Sequence, residues 1–247
     1  MKKKTAIVTG SASGIGLFTV QGLSNEGYEI FAIDKTDTEY HNQNIRFIKC
    51  DVTDEDSVLN AFKEIYDYTD SVELLVNCAG IFSINSPARI ENTPPANWGK
   101  VIDVNLIGCY NILYNAIALL KNADNASVIF LSSEQTQYPQ KLNSAYVVSK
   151  AGVEMLSRVA AIDLIEYGIK VNTIALASTR SRFIRHLVNS DDELNDIMNK
   201  TDKNMPFGII EPADVYKMIL FLSDDSNKIT GQKLLIDSGM ISKKYSE

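Results

Sequence analysis

The sequence is poor in everything that would mark a cross-linked, metal-built or nucleic-acid-binding protein. Of its 247 residues only three are cysteine and two are histidine. Cys50, Cys78 and Cys109 are odd in number, far apart and without a CxxC pair, so neither a disulfide framework nor a zinc site is indicated. Reduced thiols in the cytosol are expected. His41 and His186 stand alone, without the spacing of a ligand cluster, and no metal is expected. Basic charge is also scarce: 24 Lys and Arg against 31 Asp and Glu leave a formal charge of −7. That is the wrong sign for a nucleic-acid or anionic-membrane surface. No apolar run approaches the ~18 uninterrupted residues of a spanning helix. Met1-Lys2-Lys3-Lys4 is charged like the head of a signal peptide, but Thr5-Ala6-Ile7-Val8 behind it is short and soon meets Gly10. A first strand is expected there, in a soluble, cytoplasmic protein with a small-molecule partner.

What is present is an alternation of short β-branched runs with longer stretches of helical period, the pattern of a parallel sheet covered by helices on both faces. Strands are predicted at Ala6–Val8, Glu29–Ile33, Arg46–Ile48, Glu73–Val76, Ser127–Leu131, Val171–Ile174 and Lys233–Ile236. Helices are predicted near 15–25, 55–68, 97–121, 146–167 and 212–223, long enough for crossovers between parallel strands. No Gly/Ser linker, repeat or low-complexity tract divides them. The expectation is an α/β fold in which 1–247 forms a single doubly wound, Rossmann-type domain with a seven-stranded parallel sheet, its ligand beyond the carboxyl ends of the strands. Residues 177–210 break the rhythm with mixed charge and partial periodicity, and so long a connection suggests a substrate lid.

Behind the first strand stands Gly10-Ser11-Ala12-Ser13-Gly14-Ile15-Gly16. Glycines there permit a tight turn and close approach of backbone to a pyrophosphate, and the free N–H groups of a helix start attract anionic charge. The spacing is G-x3-G-x-G, and by itself it also fits an ordinary strand-to-helix turn. Asp34 ends the second predicted strand, where a carboxylate can accept both ribose hydroxyls of an adenosine and repel a 2′-phosphate, pointing to NAD. Lys35 next door could reach such a phosphate, and Asp34 could simply cap a turn. Asp51 could bond an adenine amine or cap the following helix. Tyr146 and Lys150 are four apart in a helical stretch, so both emerge on one face. An ammonium near a phenol lowers its pKa and suits the pair to exchange a proton with an alcohol oxygen.

Read together, Thr9–Gly16, Asp51-Val52, Asn77-Cys78-Ala79-Gly80, Asn105, Ser133, Tyr146-Val147-Val148-Ser149-Lys150 and the closing Thr230-Gly231 with Asp237-Ser238-Gly239 resemble the short-chain dehydrogenase/reductase family over almost the whole chain. The resemblance implies an oxidoreductase using NAD or NADP, in which Ser133 bonds the substrate oxygen, Tyr146 exchanges its proton, Lys150 holds the nicotinamide ribose and tunes Tyr146, and Asn105 anchors a proton-relay water. Gly10, Ser13, Gly14, Ile15, Gly16, Asp34, Asp51, Val52, Asn77, Ala79, Gly80 and Thr179 would join Tyr146 and Lys150 in contacting the cofactor. It also implies a homo-oligomer, a tetramer, with the helices at 97–121 and 146–167 as contact surfaces and Tyr110, Leu113, Met155 and Val159 available for burial. Three positions depart from the family pattern: Cys78 stands for a second Asn, Leu176-Ala177 for Pro-Gly, and Ser238 for Gly. The Leu176-Ala177 change bears on the seat of the nicotinamide carboxamide near Thr179.

The function expected is conversion between a secondary alcohol and a ketone on a small substrate with NAD. A 3-oxoacyl carrier-protein reductase is the alternative enzyme, and a non-catalytic dinucleotide sensor the alternative of another class. Arg180, Arg182, Arg185 and His186 crowd the start of the expected lid. They could clamp a carboxylate, as on a cyclic hydroxy acid, or form a solvated helix face or an intersubunit salt-bridge patch.

Overall fold

Residues 5–9 are apolar or β-branched, and all five are buried, as a strand covered on both faces requires. The computed structural model describes residues 3–85 and 87–244. These form one sheet of β1 (Thr5–Thr9), β2 (Glu29–Asp34), β3 (Ile45–Lys49), β4 (Leu74–Asn77), β5 (Ser127–Ser133), β6 (Lys170–Leu176) and β7 (Lys233–Ile236). The spatial order is β3-β2-β1-β4-β5-β6-β7, and every pairing is parallel. The chain runs outward from β1 to β3 and then returns to start again at β4. Connections on either side of the β1–β4 boundary therefore leave in opposite directions, which opens a crevice at the strand carboxyl ends.

Strand alternation divides the core into two layers. Ile7, Phe31, Ile33, Leu75, Val128 and Phe130 face one side with α2 (Glu55–Tyr68), α4 (Gly108–Lys121) and α5 (Ser144–Leu164). Ala6, Val8, Ile30, Leu74, Ile129 and Ile174 face the other with α1 (Gly14–Asn25), α6 (Asp191–Asn204) and α7 (Pro212–Ser223). A further short helix, α8 (Met240–Lys244), follows β7.

Two stretches differ from the expectation in ways that matter. The stretch near 97–121 is α3 (Pro95–Ile102), a π turn over Asp103–Ile107, then α4. Its most apolar window reaches a mean hydropathy of 1.3 and the length would cross a membrane, but Val101, Cys109, Ile112, Leu113, Ala116 and Leu119 are buried in the core. Leu113 is thus core rather than contact surface, while Tyr110, Met155 and Val159 are exposed. The second difference is α6, which lies inside the 177–210 segment. Ser190 caps it by accepting from the Glu193 N–H, Glu193 reaches back to the Asn189 N–H, and Leu194 and Met198, one turn apart, bury against the sheet.

Candidate functional site

The glycine turn is dictated by close contacts. Gly10 turns the chain at φ +64°, and a Cβ there would stand 2.8 Å from the Ala79 nitrogen. Gly16 is more constrained: its Cβ would stand 2.1 Å from the Gly10 carbonyl oxygen. Only glycine lets α1 press onto the turn. Ser13 precedes α1 without a side-chain cap, which leaves first-turn N–H groups for an anion. The neighbouring turn is tied in by Thr9, whose hydroxyl accepts from the Cys78 and Ala79 N–H groups, both at 3.1 Å. A cleft of about 520 Å³ runs from here along Ser13, Gly14, Ile15, Gly16, Asp34, Asp51, Val52, Ala79 and Gly80 to Ser133, Tyr146, Lys150 and Thr179. Asn77 lies just beneath it, buried, with its Nδ2 unpartnered.

Asp34 combines the alternatives the sequence left open, and Asp51 does not. Asp34 lines the cleft, and its carboxylate accepts from the Ala12 N–H at 3.0 Å and the Thr36 N–H at 2.9 Å. Each oxygen keeps a free lone pair. Asp51 accepts from the Thr53 N–H and hydroxyl. Burial works against its charge, and these hydrogen bonds with Lys35 outweigh it, holding the carboxyl below its ordinary value. The cap of α2 is Asp54, not Asp51.

The reactive end assembles from β5, α5 and the π turn. The Tyr146 side chain lines the cleft beside Ser133, whose hydroxyl accepts from the Gln135 N–H at 3.2 Å. Burial pushes the Tyr146 phenol up to about 12, with the Ser133 hydroxyl pulling down and the Glu134 carboxylate pushing further up. Tuning by Lys150 is not what the chain alone displays. The ammonium is tied to the Leu131 carbonyl at 3.0 Å and stands 5.9 Å from the Tyr146 ring centroid. The rings of Phe82 and Phe183, at 5.0 and 6.1 Å, pack against the tyrosine and make burial decisive. Lys150 itself is lowered by burial, against the pull of Cys109 and Cys78. Asn105 is fully buried and donates from Nδ2 to the Ile81 carbonyl and the Ser149 hydroxyl, both at 2.9 Å, while its Oδ1 accepts from the Ile81 N–H. Both amide protons are committed, and one Oδ1 lone pair remains. Gly80 leaves room for both that oxygen and Lys150, since a Cβ there would stand 3.2 Å from Oδ1 and 3.4 Å from Nζ. A neutral phenol held beside a serine hydroxyl can hand a proton to a substrate oxygen or recover it.

The three departures are accommodated differently. Cys78 is half-buried and lines the cleft as a neutral thiol, which burial pushes up to about 12. Ala177 donates its N–H to the Ile236 carbonyl in ordinary backbone geometry, so glycine is not needed there. Ser238 does adopt φ +52°, a conformation glycine takes without strain, and its hydroxyl bonds the Gly208 carbonyl at 2.6 Å.

The arginine cluster does not face the cleft. Arg180 pairs with Glu211 at 2.7 Å, and Arg182 and Arg185 both pair with Asp191, while His186 Nε2 bonds the Ser83 carbonyl at 2.7 Å. The guanidiniums are instead paired within the chain, each meeting a carboxylate of its own segment or of the adjoining α7 cap. On this side the cleft is lined by Ser181, Phe183 and Ile184. Phe82, Phe183, Glu134 and Asn143 are lining residues that sequence reasoning missed; lying in irregular segments, they carry no periodic signal. Among the described residues no three His, Cys, Asp or Glu side chains converge.

Comparison with known proteins agrees with this arrangement. A family model described as enoyl-(acyl carrier protein) reductase matches residues 10–241. The 3-oxoacyl-(acyl-carrier-protein) reductase FabG of Staphylococcus epidermidis is 32% identical over 248 residues, covering 96% of this chain and 98% of the relative. The 2,5-dichloro-2,5-cyclohexadiene-1,4-diol dehydrogenase LinX of Sphingobium indicum is 29% identical, covering 96% and 95%. Among solved structures, aldohexose dehydrogenase of Thermoplasma acidophilum superposes with a TM-score of 0.88 at 28% identity, over 97% of this chain and 94% of that one. ElxO with NADP bound gives 0.85 at 25% identity, over 97% and 99%.

Proposed function

The chain belongs to the short-chain dehydrogenase/reductase family, and on that premise we propose that it is an NAD-dependent oxidoreductase interconverting a secondary alcohol and a ketone on a small substrate. The observation that carries this reading is that Ser133, Tyr146 and Lys150 line the same cleft as the glycine turn and Asp34. The chain fits a dinucleotide on its own geometry: a Cβ at Gly10 or Gly16 would strike the protein's own backbone, so only glycine allows the tight turn, and α1 begins behind it without a side-chain cap. When bound, NAD supplies the hydride acceptor and NADH the donor. Asp34 offers two lone pairs to ribose hydroxyls, and Lys150 holds its charge beside Gly80. Ser133 orients the substrate oxygen while Tyr146 gives or takes the proton. Asn105 offers its remaining Oδ1 lone pair to a relay water.

The substrate proposed is a small ring alcohol, in keeping with the ring diol named for LinX. The acid part of the expected hydroxy acid loses its support, since the arginines are paired and Glu134 stands near Tyr146. Residues 177–210 act as the lid. The unpaired Cys50, Cys78 and Cys109 support a reducing cytoplasm, and the exposed Tyr110, Tyr114, Met155, Val159 and Ile162 support a homotetramer. A 3-oxoacyl carrier-protein reductase is the second reading, favoured by FabG at 32% identity; Asp34 speaks for the first. Following NADH absorbance with secondary alcohols, ring diols and a 3-oxoacyl thioester separates them. Tyr146→Phe should lose at least ~10³-fold in kcat while still binding NAD. Retained turnover would remove the assignment, and NAD binding without turnover on any substrate would favour a sensor.

A further inference from the structure

A buried ion pair adjoins Ser133 and has no part in the reading above. Glu154 stands one turn beyond Lys150 on α5, and Lys233 opens β7. Their side chains are 13% and 16% exposed and meet at 3.0 Å. The same Glu154 oxygen accepts from the Ser132 hydroxyl at 2.7 Å and the Thr136 hydroxyl at 2.6 Å. Lys233 also donates to the Thr136 oxygen at 2.6 Å, and that hydroxyl lies 2.8 Å from the Ser133 carbonyl. Having one proton, Thr136 shares it between Glu154 and Ser133 while its lone pair receives Lys233. One carboxylate thus grips the chain on both sides of Ser133.

A buried ion pair is a weak source of net stability, because desolvation offsets most of the attraction, so a positional role accounts for it better. Ser133 needs such a device. It ends β5, whereas Tyr146 belongs to α5, and the irregular stretch 134–143 joins them. A catalytic contact across such a joint must hold to within about 0.5 Å. Lys150 already pins the Leu131 carbonyl from the same helix. With Glu154 added, the end of β5 and the turn beyond it are fastened to α5 at Leu131, Ser132 and Thr136.

We infer that Glu154, backed by Lys233, is a positioning residue that fixes the Ser133 hydroxyl against Tyr146; this rests on the oxidoreductase reading of that site. The test compares Glu154→Ala, Glu154→Gln and Thr136→Val, each alone and combined with Ser133→Ala. Glu154→Ala should cut kcat at least ~10-fold with KM for NAD within about twofold. Glu154→Gln keeps an acceptor for both hydroxyls and should restore most of the rate. In the Ser133→Ala background Glu154→Ala should add less than about twofold, because its effect passes through Ser133. Thr136→Val leaves the ion pair in place and covers the case in which Glu154→Ala fails to fold. Unchanged kcat per folded enzyme in the single variants, or losses that multiply with that of Ser133→Ala, overturn the proposal. Crystal structures of the wild type and Thr136→Val read the separation of the Ser133 and Tyr146 hydroxyls without any turnover. A separation preserved in the variant overturns the positioning role, and a Ser133 hydroxyl turned away from Tyr146 upholds it. A wild type inactive on every substrate would instead count against the oxidoreductase reading.

Discussion

Replacing Asp34 by Ala should collapse the preference for NAD over NADP. A unit negative charge ~4 Å from the carboxylate is repelled by about 4 kcal/mol at an effective dielectric of ~20. Physiological salt, with a Debye length of about 8 Å, reduces this to about 2.5 kcal/mol, on the order of 10²-fold in affinity. Lys35 lines the same cleft and offsets part of it, so the wild-type preference should lie between roughly ten- and a hundredfold. Removing the carboxylate should bring NADP and NAD to within about threefold of each other, while kcat/KM for NAD falls by about 10–100-fold through lost charge-assisted hydrogen bonds of about 1.5–3 kcal/mol. Because Asp34 also anchors the Ala12 and Thr36 N–H groups, Asp34→Asn serves as a control that removes the charge and keeps the shape. The assay is kcat/KM for both dinucleotides at low and physiological salt, where the preference should narrow as salt rises. A wild type that uses NADP as well as NAD, or an Ala variant with an unchanged ratio, refutes the placement of this carboxylate.

Lys150→Met should lower kcat and weaken NAD binding together, read by steady-state kinetics and by cofactor titration. Ketone reduction should be nearly flat from about pH 6 to 9 because the buried Tyr146 phenol, raised to about 12, stays protonated, while alcohol oxidation should rise with pH. Asp51, where Thr53 bonds outweigh burial, and Asp214, through the Glu211 N–H, have carboxyls held below their ordinary value. Their folded-state pKa values are depressed, so their stability is present above about pH 4 and lost as pH falls through the lowered values. Thermal midpoints of Asp51→Asn and Asp214→Asn should therefore depend less on pH in that acid range than the wild type. Light scattering at micromolar concentration should give a tetramer mass, and Met155→Glu with Ile162→Glu should reduce it.

The sheet was legible because its strands are covered on both faces and read as continuous apolar runs, Ser127–Leu131 above all. The glycine turn and the Tyr146/Lys150 pair were legible because their spacing is a local property of one turn and one helix. What escaped was set by tertiary contact. The π turn that buries Asn105 leaves no mark on the 97–121 pattern. Leu113 matched a contact surface as well as it matches core, because periodicity gives a face but not its partner. The raised phenol of Tyr146 depends on Phe82 and Phe183, which reach it from separate loops. The α6 helix is a different case: Ser190-Asp191-Asp192-Glu193 followed by Leu194 and Met198 carries a capping-box signal that was available in the sequence.

The 177–210 segment is tied at its neck and braced within. Arg180 donates its N–H to the Ile210 carbonyl, Ile210 donates to Ser178, and the Arg180 side chain pairs with Glu211. Within it, Asp191 gathers Arg182 and Arg185, so the start of α6 and the preceding turn are braced together. Its floor belongs to the core, where Leu194, Met198 and Met205 are buried. Its contact with the opposite wall is slighter, consisting of the His186–Ser83 hydrogen bond and the packing of Phe183 on Phe82 and Tyr146. One hydrogen bond contributes about 0.5–1.5 kcal/mol net and each aromatic contact about 0.5–1.5 kcal/mol. Releasing that wall contact costs about 2–4 kcal/mol, whereas lifting the whole segment would also expose Leu194, Met198 and Met205 at roughly 1.5–3 kcal/mol each. The proposed lid would therefore open only over the stretch before α6. The arginines that resemble a substrate clamp in sequence serve the bracing, and the residue of this segment that meets Tyr146 is Phe183.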